Sequence, residues 1–213
     1  MASVIDTTAG SASAAAPKPA NRIVRHAGID RLFHWLTAAS VLTLMATSLL
    51  PILGVKFDWV VIHWSTGMLL IALTLFHIIR ALLWQRLRTM WFYEKELSGR
   101  QVGKYSVAQK LMHLAMTFMI LGATITGAMM LMKMSTPWWH RDPYRLSQLT
   151  WGVIYFVHGV AALSAVTLVM VHVYFSVIPQ NRMYLRAMIR GWMTRQELLD
   201  HHNAHSPTAK KTT

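Results

Sequence analysis

Four stretches of this chain carry almost no charge, and each is long enough to cross a membrane. Residues 33–53, 111–132 and 151–178 contain no Asp, Glu, Lys or Arg, and 59–83 contains only Arg80, close to its end. The windows hold 21 to 28 residues, and roughly 20 apolar residues suffice to cross the hydrocarbon core as a helix. Four such runs packed into a soluble bundle would leave little surface for water, which argues against a soluble all-helical fold. The expected fold is an all-α membrane protein, a four-transmembrane-helix bundle over residues 33–178. An N-terminal arm (1–32) and a C-terminal segment (179–213) flank it.

The chain is basic, with 21 Lys and Arg against 8 Asp and Glu. The placement of these charges points to topology and away from nucleic acid. The arm, the connection from Arg80 to Lys110 and the segment after residue 178 hold 17 basic residues, whereas the other two connections hold Lys56, Lys133, Arg141 and Arg145. The positive-inside rule puts the side with 17 in the cytoplasm. Four spans return the chain to its starting side, so both termini are expected there, in a bacterial inner membrane. Trp35, Trp59, Trp64, Trp84, Trp91, Trp138, Trp139 and Trp151 lie near span ends, as an interfacial aromatic belt requires. The first twenty residues and 201–213 are polar and small enough in composition to be disordered. The run 181–199 has apolar residues at helical spacing among arginines and is expected to lie as an amphipathic helix on the inner leaflet.

There is no cysteine, which excludes disulfides, zinc–thiolate sites, cysteine-ligated iron–sulfur clusters and covalent c-type haem attachment. Histidine carries the chemistry instead. Ionisable groups at membrane depth are costly, and each asks for a named partner. His158 and His172 are 14 residues apart on the fourth span. That separates them by about 21 Å, within about 40° of the same helix face. His63 lies level with His158 near the outer surface, and His34 lies level with His172 near the inner one. Two opposed histidines at each of two depths suit two bis-histidine b haems, each iron taking one imidazole from each of two facing helices. His77 also follows His63 by 14 residues, so spacing leaves His34 and His77 as alternative inner partners of His172. His113, on the third span, is left unassigned. His26, His140, His201, His202 and His205 fall in loops or tails. Gly67, four after His63, and Gly159, beside His158, offer the missing side chain that a flat macrocycle needs to approach a helix. Gly122 and Gly127 on the third span read as helix-packing glycines. Arg80 and Arg31 can each pair with a haem propionate or with a lipid phosphate.

The segments GIDRLFHW (28–35), VIHWSTG (61–67), VGKYSVAQK (102–110) and FVHGV…VHVYF (156–175) resemble the cytochrome b, or gamma, subunit of membrane-bound respiratory formate dehydrogenases. The wider group includes the di-haem cytochrome b of nickel–iron hydrogenases. The D-R-x-x-H-W start and the paired histidines are common to the wider group. The G-K-Y-x-x-x-Q-K loop before the third span points to formate dehydrogenase. The resemblance covers roughly residues 24 to 195 in uniform order.

Carried over by position, the resemblance implies His34 and His172 as ligands of the inner haem and His63 and His158 as ligands of the outer haem. His77 stands where the family pattern does not require histidine. It further implies a quinone pocket, for menaquinone or ubiquinone, at Gly103, Lys104, Tyr105, Ser106, Ala108 and Gln109, beside His172. Here Ser106 replaces an asparagine of the family loop and Ala108 a glycine; a serine hydroxyl still bonds a quinone carbonyl, with shorter reach. The implied partners are an iron–sulfur (beta) subunit on the outer side and, through it, a molybdenum- or tungsten-containing catalytic (alpha) subunit, in a complex that can oligomerise further. The expected role is electron transfer from that iron–sulfur subunit through two haems b to quinone. The same scaffold on another dehydrogenase, such as nickel–iron hydrogenase, is the alternative. A haem-free anchor or transporter with histidines on a proton path is a second one.

Overall fold

A computed structural model of the chain describes residues 22–83, 105–197 and 199. The expectations for the first twenty residues, for Gly103 and Lys104, and for the 201–213 tail fall outside them. Four long helices dominate: α1 (Gly28–Ile52), α2 (Trp59–Leu83), α3 (Val107–Met130) and α4 (Gln148–Val177). Hydrocarbon offers no hydrogen bonds to backbone N–H and C=O, so a lipid-exposed span must satisfy them within itself, as a helix does. All four are long and apolar enough to cross a membrane, α3 being extended by a 3-10 turn at Leu131–Lys133.

α1, α3 and α4 begin three to five residues before their charge-free windows, because a helix starts at its cap, while α2 coincides with its window. Ser106 caps α3: its hydroxyl accepts from the Gln109 N–H at 3.2 Å, and the Gln109 side chain accepts from the Ser106 N–H at 3.0 Å. Ser147 caps α4 by accepting from the Thr150 N–H at 3.2 Å.

Burial is inverted relative to a soluble bundle. Large apolar side chains such as Phe118, Phe156 and Leu163 are exposed, while Ser40, Thr47, Thr126 and Lys110 are buried. The buried hydroxyls return to carbonyls of their own helix, Ser40 to Leu36 and Thr126 to Gly122 among them. α1 packs against α2 and α3 against α4, as two antiparallel hairpins, and α2 packs on α3. Neither α1 nor α2 packs closely on α4.

At the end carrying both described termini, here called inner, β1 (Arg22–Val24) pairs antiparallel with β2 (Trp192–Thr194). The amphipathic segment is shorter than its sequence pattern suggests. α5 covers Arg182–Arg190 and stops at Gly191, whose left-handed φ of 89° ends it and turns the chain into β2. The Gly191 carbonyl accepts from the N–H groups of Arg25 and His26, at 2.9 and 3.3 Å. Arg31 donates to the Ile189 carbonyl at 2.8 Å, which ties α1 to the end of α5. Trp151 also departs from its expected place in an interfacial belt. It is fully buried, donates to the Pro143 carbonyl at 3.0 Å, and lies under the Lys133 ammonium.

Gly191→Ala should loosen this inner clamp. The left-handed backbone costs an ordinary residue about 1–2 kcal/mol. The new methyl would also sit 3.2 Å from the Arg31 guanidinium carbon and 3.3 Å from the His26 carbonyl oxygen. Faster amide exchange in β1 and β2, with the four spans unaffected, is the expected result.

Candidate functional site

Six of the histidines meet in facing pairs. His63 on α2 faces His158 on α4 with ring centres 6.5 Å apart and planes at 71°. His34 on α1 faces His172 on α4 at 6.2 Å and 60°. His77 on α2 faces His113 on α3 at 6.2 Å and 55°. Two imidazoles on one metal ion, with metal–nitrogen bonds of about 2 Å, have ring centres about 6.3 Å apart. A direct ring-to-ring hydrogen bond would bring the centres to about 5.2 Å. The rings therefore stand off by the length of a bridging atom, and the first two pairs fit bis-imidazole haem.

Helix packing separates the first two pairs from the third. His63–His158 and His34–His172 both cross to α4, which stands off from α1 and α2 and leaves room for a flat ring. His77 and His113 belong to α2 and α3, which pack on one another. Spacing alone left His34 and His77 equivalent; in the structure His34 faces His172, and His77 is stacked on Phe33 at 4.8 Å. Arg80, one turn beyond His77, forms an ion pair with Asp30 that joins the inner ends of α1 and α2. Arg31 is held at the end of α5.

The glycines divide as well. Gly67 is half-buried with open space where a Cβ would be, whereas Gly159 lies on an exposed flank. Gly127, which reads in sequence as a packing glycine, lies against the His158 ring: a Cβ there would be 3.3 Å from Cε1. At the inner level the Thr37 hydroxyl, one turn after His34, is buried without a hydrogen-bond partner among the described residues. It can bond a group held between α1 and α4.

The described part of the loop before α3 lies against α5. Ser106 and Gln109 are joined in the capping box, Ala108 is exposed, and the Arg25 guanidinium lies 5.6 Å over the Tyr105 ring and 6.0 Å over that of Tyr184. Tyr184 bonds the Gln109 side chain. Burial pushes the Tyr184 hydroxyl up from its ordinary pKa, against the opposing pull of Arg25 and of that hydrogen bond. Tyr184 therefore stays protonated at neutral pH. The sequence does not mark Tyr184, and it reads Gly127 only as a packing glycine, because each meets its partner, Gln109 or the His158 ring, across helices.

Gly127→Ala should push the His158 ring aside by a few tenths of an ångström without unfolding α3, since alanine favours helix. A shifted low-spin electron paramagnetic resonance signal from one haem, the other unchanged, is the expected outcome.

Two comparisons bear on what these pairs hold. The family model described as prokaryotic cytochrome b561 matches residues 25–191. No curated protein is similar enough to the chain to be matched to it. The match takes in all four spans, all three histidine pairs and α5. The chain belongs to the prokaryotic cytochrome b561 family of di-haem, multi-pass membrane electron-transfer proteins, which hydrogenase and formate dehydrogenase cytochrome b subunits share.

Proposed function

We propose that this chain is the cytochrome b membrane-anchor subunit of a respiratory formate dehydrogenase, accepting electrons from an iron–sulfur subunit and delivering them to membrane quinone. The observation that carries the electron path is the pair of ring separations, 6.5 Å for His63–His158 and 6.2 Å for His34–His172. Two b haems held by these rings would supply one-electron carriers, and the two α4 histidines that would hold them, His158 and His172, lie about 21 Å apart along the helix. The G-K-Y-x-x-x-Q-K loop supports formate dehydrogenase over hydrogenase. With no cysteine in the chain, the iron–sulfur relay and the molybdenum or tungsten chemistry fall to partner subunits. The excess of Lys and Arg on the side of the termini supports a cytoplasmic location for both, and the resemblance assigns the opposite, His63–His158 end to the iron–sulfur partner.

The quinone head needs hydrogen-bond donors at interfacial depth near the inner pair. The capping box uses the acceptor side of Ser106 Oγ and the carbonyl oxygen of Gln109. That leaves the Ser106 O–H to donate, beside the Gln109 side chain that Tyr184 also bonds. Tyr105, Tyr184 and His172 complete the proposed inner surface, with Gly103 and Lys104 preceding it in sequence. Protons taken up here, with electrons entering from the opposite side, separate charge across the membrane.

Pyridine haemochrome analysis is expected to give two haems b per chain; a colourless purified chain favours the haem-free anchor. His63→Ala or His158→Ala should remove one haem and His34→Ala or His172→Ala the other, while His77→Ala leaves both. Ser106→Ala should slow reoxidation of the haems by quinone by about tenfold with their reduction unchanged, the equivalent of about 1.4 kcal/mol. Ser106→Asn keeps both a helix cap and a donor, and should retain turnover. Mass spectrometry of the co-purifying subunits separates formate dehydrogenase from hydrogenase.

A further inference from the structure

The two rings of the outer pair are held in the same way, each by a threonine of the preceding helix. Thr47 Oγ1 on α1 lies 2.8 Å from His63 Nδ1, and Thr126 Oγ1 on α3 lies 2.9 Å from His158 Nδ1. Both threonines are buried, at 3% and 8% exposure. Each hydroxyl also reaches carbonyls of its own helix. Thr47 Oγ1 is 2.9 Å from the Thr43 oxygen and 3.0 Å from that of Leu44. Thr126 Oγ1 is 2.6 Å from the Gly122 oxygen and 3.2 Å from that of Ala123.

These contacts favour one placement of the protons. A carbonyl oxygen can only accept, so the single hydroxyl hydrogen goes to the helix carbonyl and the oxygen turns a lone pair to the ring. Nδ1 must then donate. With Nδ1 protonated, the neutral imidazole presents an unprotonated Nε2, the form that binds a metal. A histidine whose Nδ1–H is bonded to oxygen is a stronger donor through Nε2, and this favours the more highly charged ferric state.

The inner pair is built differently. Among the described residues, no hydroxyl or carbonyl bonds a ring nitrogen of His34 or His172. His34 instead stacks on Trp35, at 5.3 Å and 11°. We propose that Thr47 and Thr126 are positioning residues that lock His63 and His158 as Nδ1–H tautomers, so that the outer haem has the lower potential and electrons run from the outer to the inner site. This rests on the di-haem reading and on the axial ligand assignments above.

The test is an optical redox titration of the intact purified protein with low-temperature electron paramagnetic resonance, the outer signal being assigned by its absence in His63→Ala. In Thr47→Val and Thr126→Val the outer haem should become easier to reduce by about tenfold in its ferrous-to-ferric ratio. That corresponds to an upward shift of about 59 mV for one electron, with the inner haem unmoved. Thr47→Ser and Thr126→Ser keep the hydroxyl and should titrate as the parent does. Loss of the outer haem alone in the valine variants also supports the proposal. Unmoved outer potentials in both valine variants, equal shifts at both haems, or serine variants that behave like valine overturn it. A parent protein without haem overturns the di-haem reading itself, which keeps the two failures distinct.

Discussion

Every polar group within the hydrocarbon must find its partner inside the protein, and much of this structure follows from that requirement. The backbone meets it by forming helices. The serine and threonine hydroxyls meet it by turning back to carbonyls one turn earlier, as Ser40, Ser48, Thr74 and Thr124 do. Histidine can bond across helices through two ring nitrogens, so it is suited to joining one helix to another. Six histidines face each other in pairs between helices. The exterior carries the large apolar side chains that lipid accepts at no cost.

Close packing within the hairpins and looser packing between them creates the place for flat cofactors. α3 and α4 lie tightly together, as do α1 and α2, while α4 stands away from the first hairpin. The two histidine pairs that fit haem cross that gap. The pair that does not cross it, His77–His113, joins helices already in contact. The inner ends are held by a polar clamp made of the β1–β2 pair, the Gly191 turn, the Arg31 bond to α5 and the Asp30–Arg80 ion pair. Such a clamp belongs at the interface, where water and headgroups keep charged groups inexpensive to hold.

The threonines add a difference in kind between the two haem-type pairs. At the outer pair each imidazole is met at Nδ1 by a threonine hydroxyl, and at the inner pair the described residues provide no such bond. A fold with one set of ligand types can thus provide two electronically different sites, and a difference in potential gives electron flow a direction. Ser106 and Gln109 begin α3 with their acceptor atoms, each accepting from the other's backbone N–H.

The number and extent of the spans and the histidines at matched depths were legible in the sequence, since all depend on local composition and on helix periodicity. Small departures at helix ends came from caps such as Ser106 and Ser147, which lie outside the apolar windows. The extent of α5 was misread because apolar spacing continues past Gly191, although the backbone turns left-handed there. Spacing could not separate His34 from His77, since both lie at the inner level. Opposition across a bundle depends on which helices are neighbours, and periodicity along one helix carries no such information. Thr47 and Thr126 were invisible for the same reason: they lie 16 and 32 residues from the rings they hold. The chain's own composition determined that it crosses the membrane four times with histidines inside, and only the packing of helix on helix decided which histidine meets which, and what holds it there.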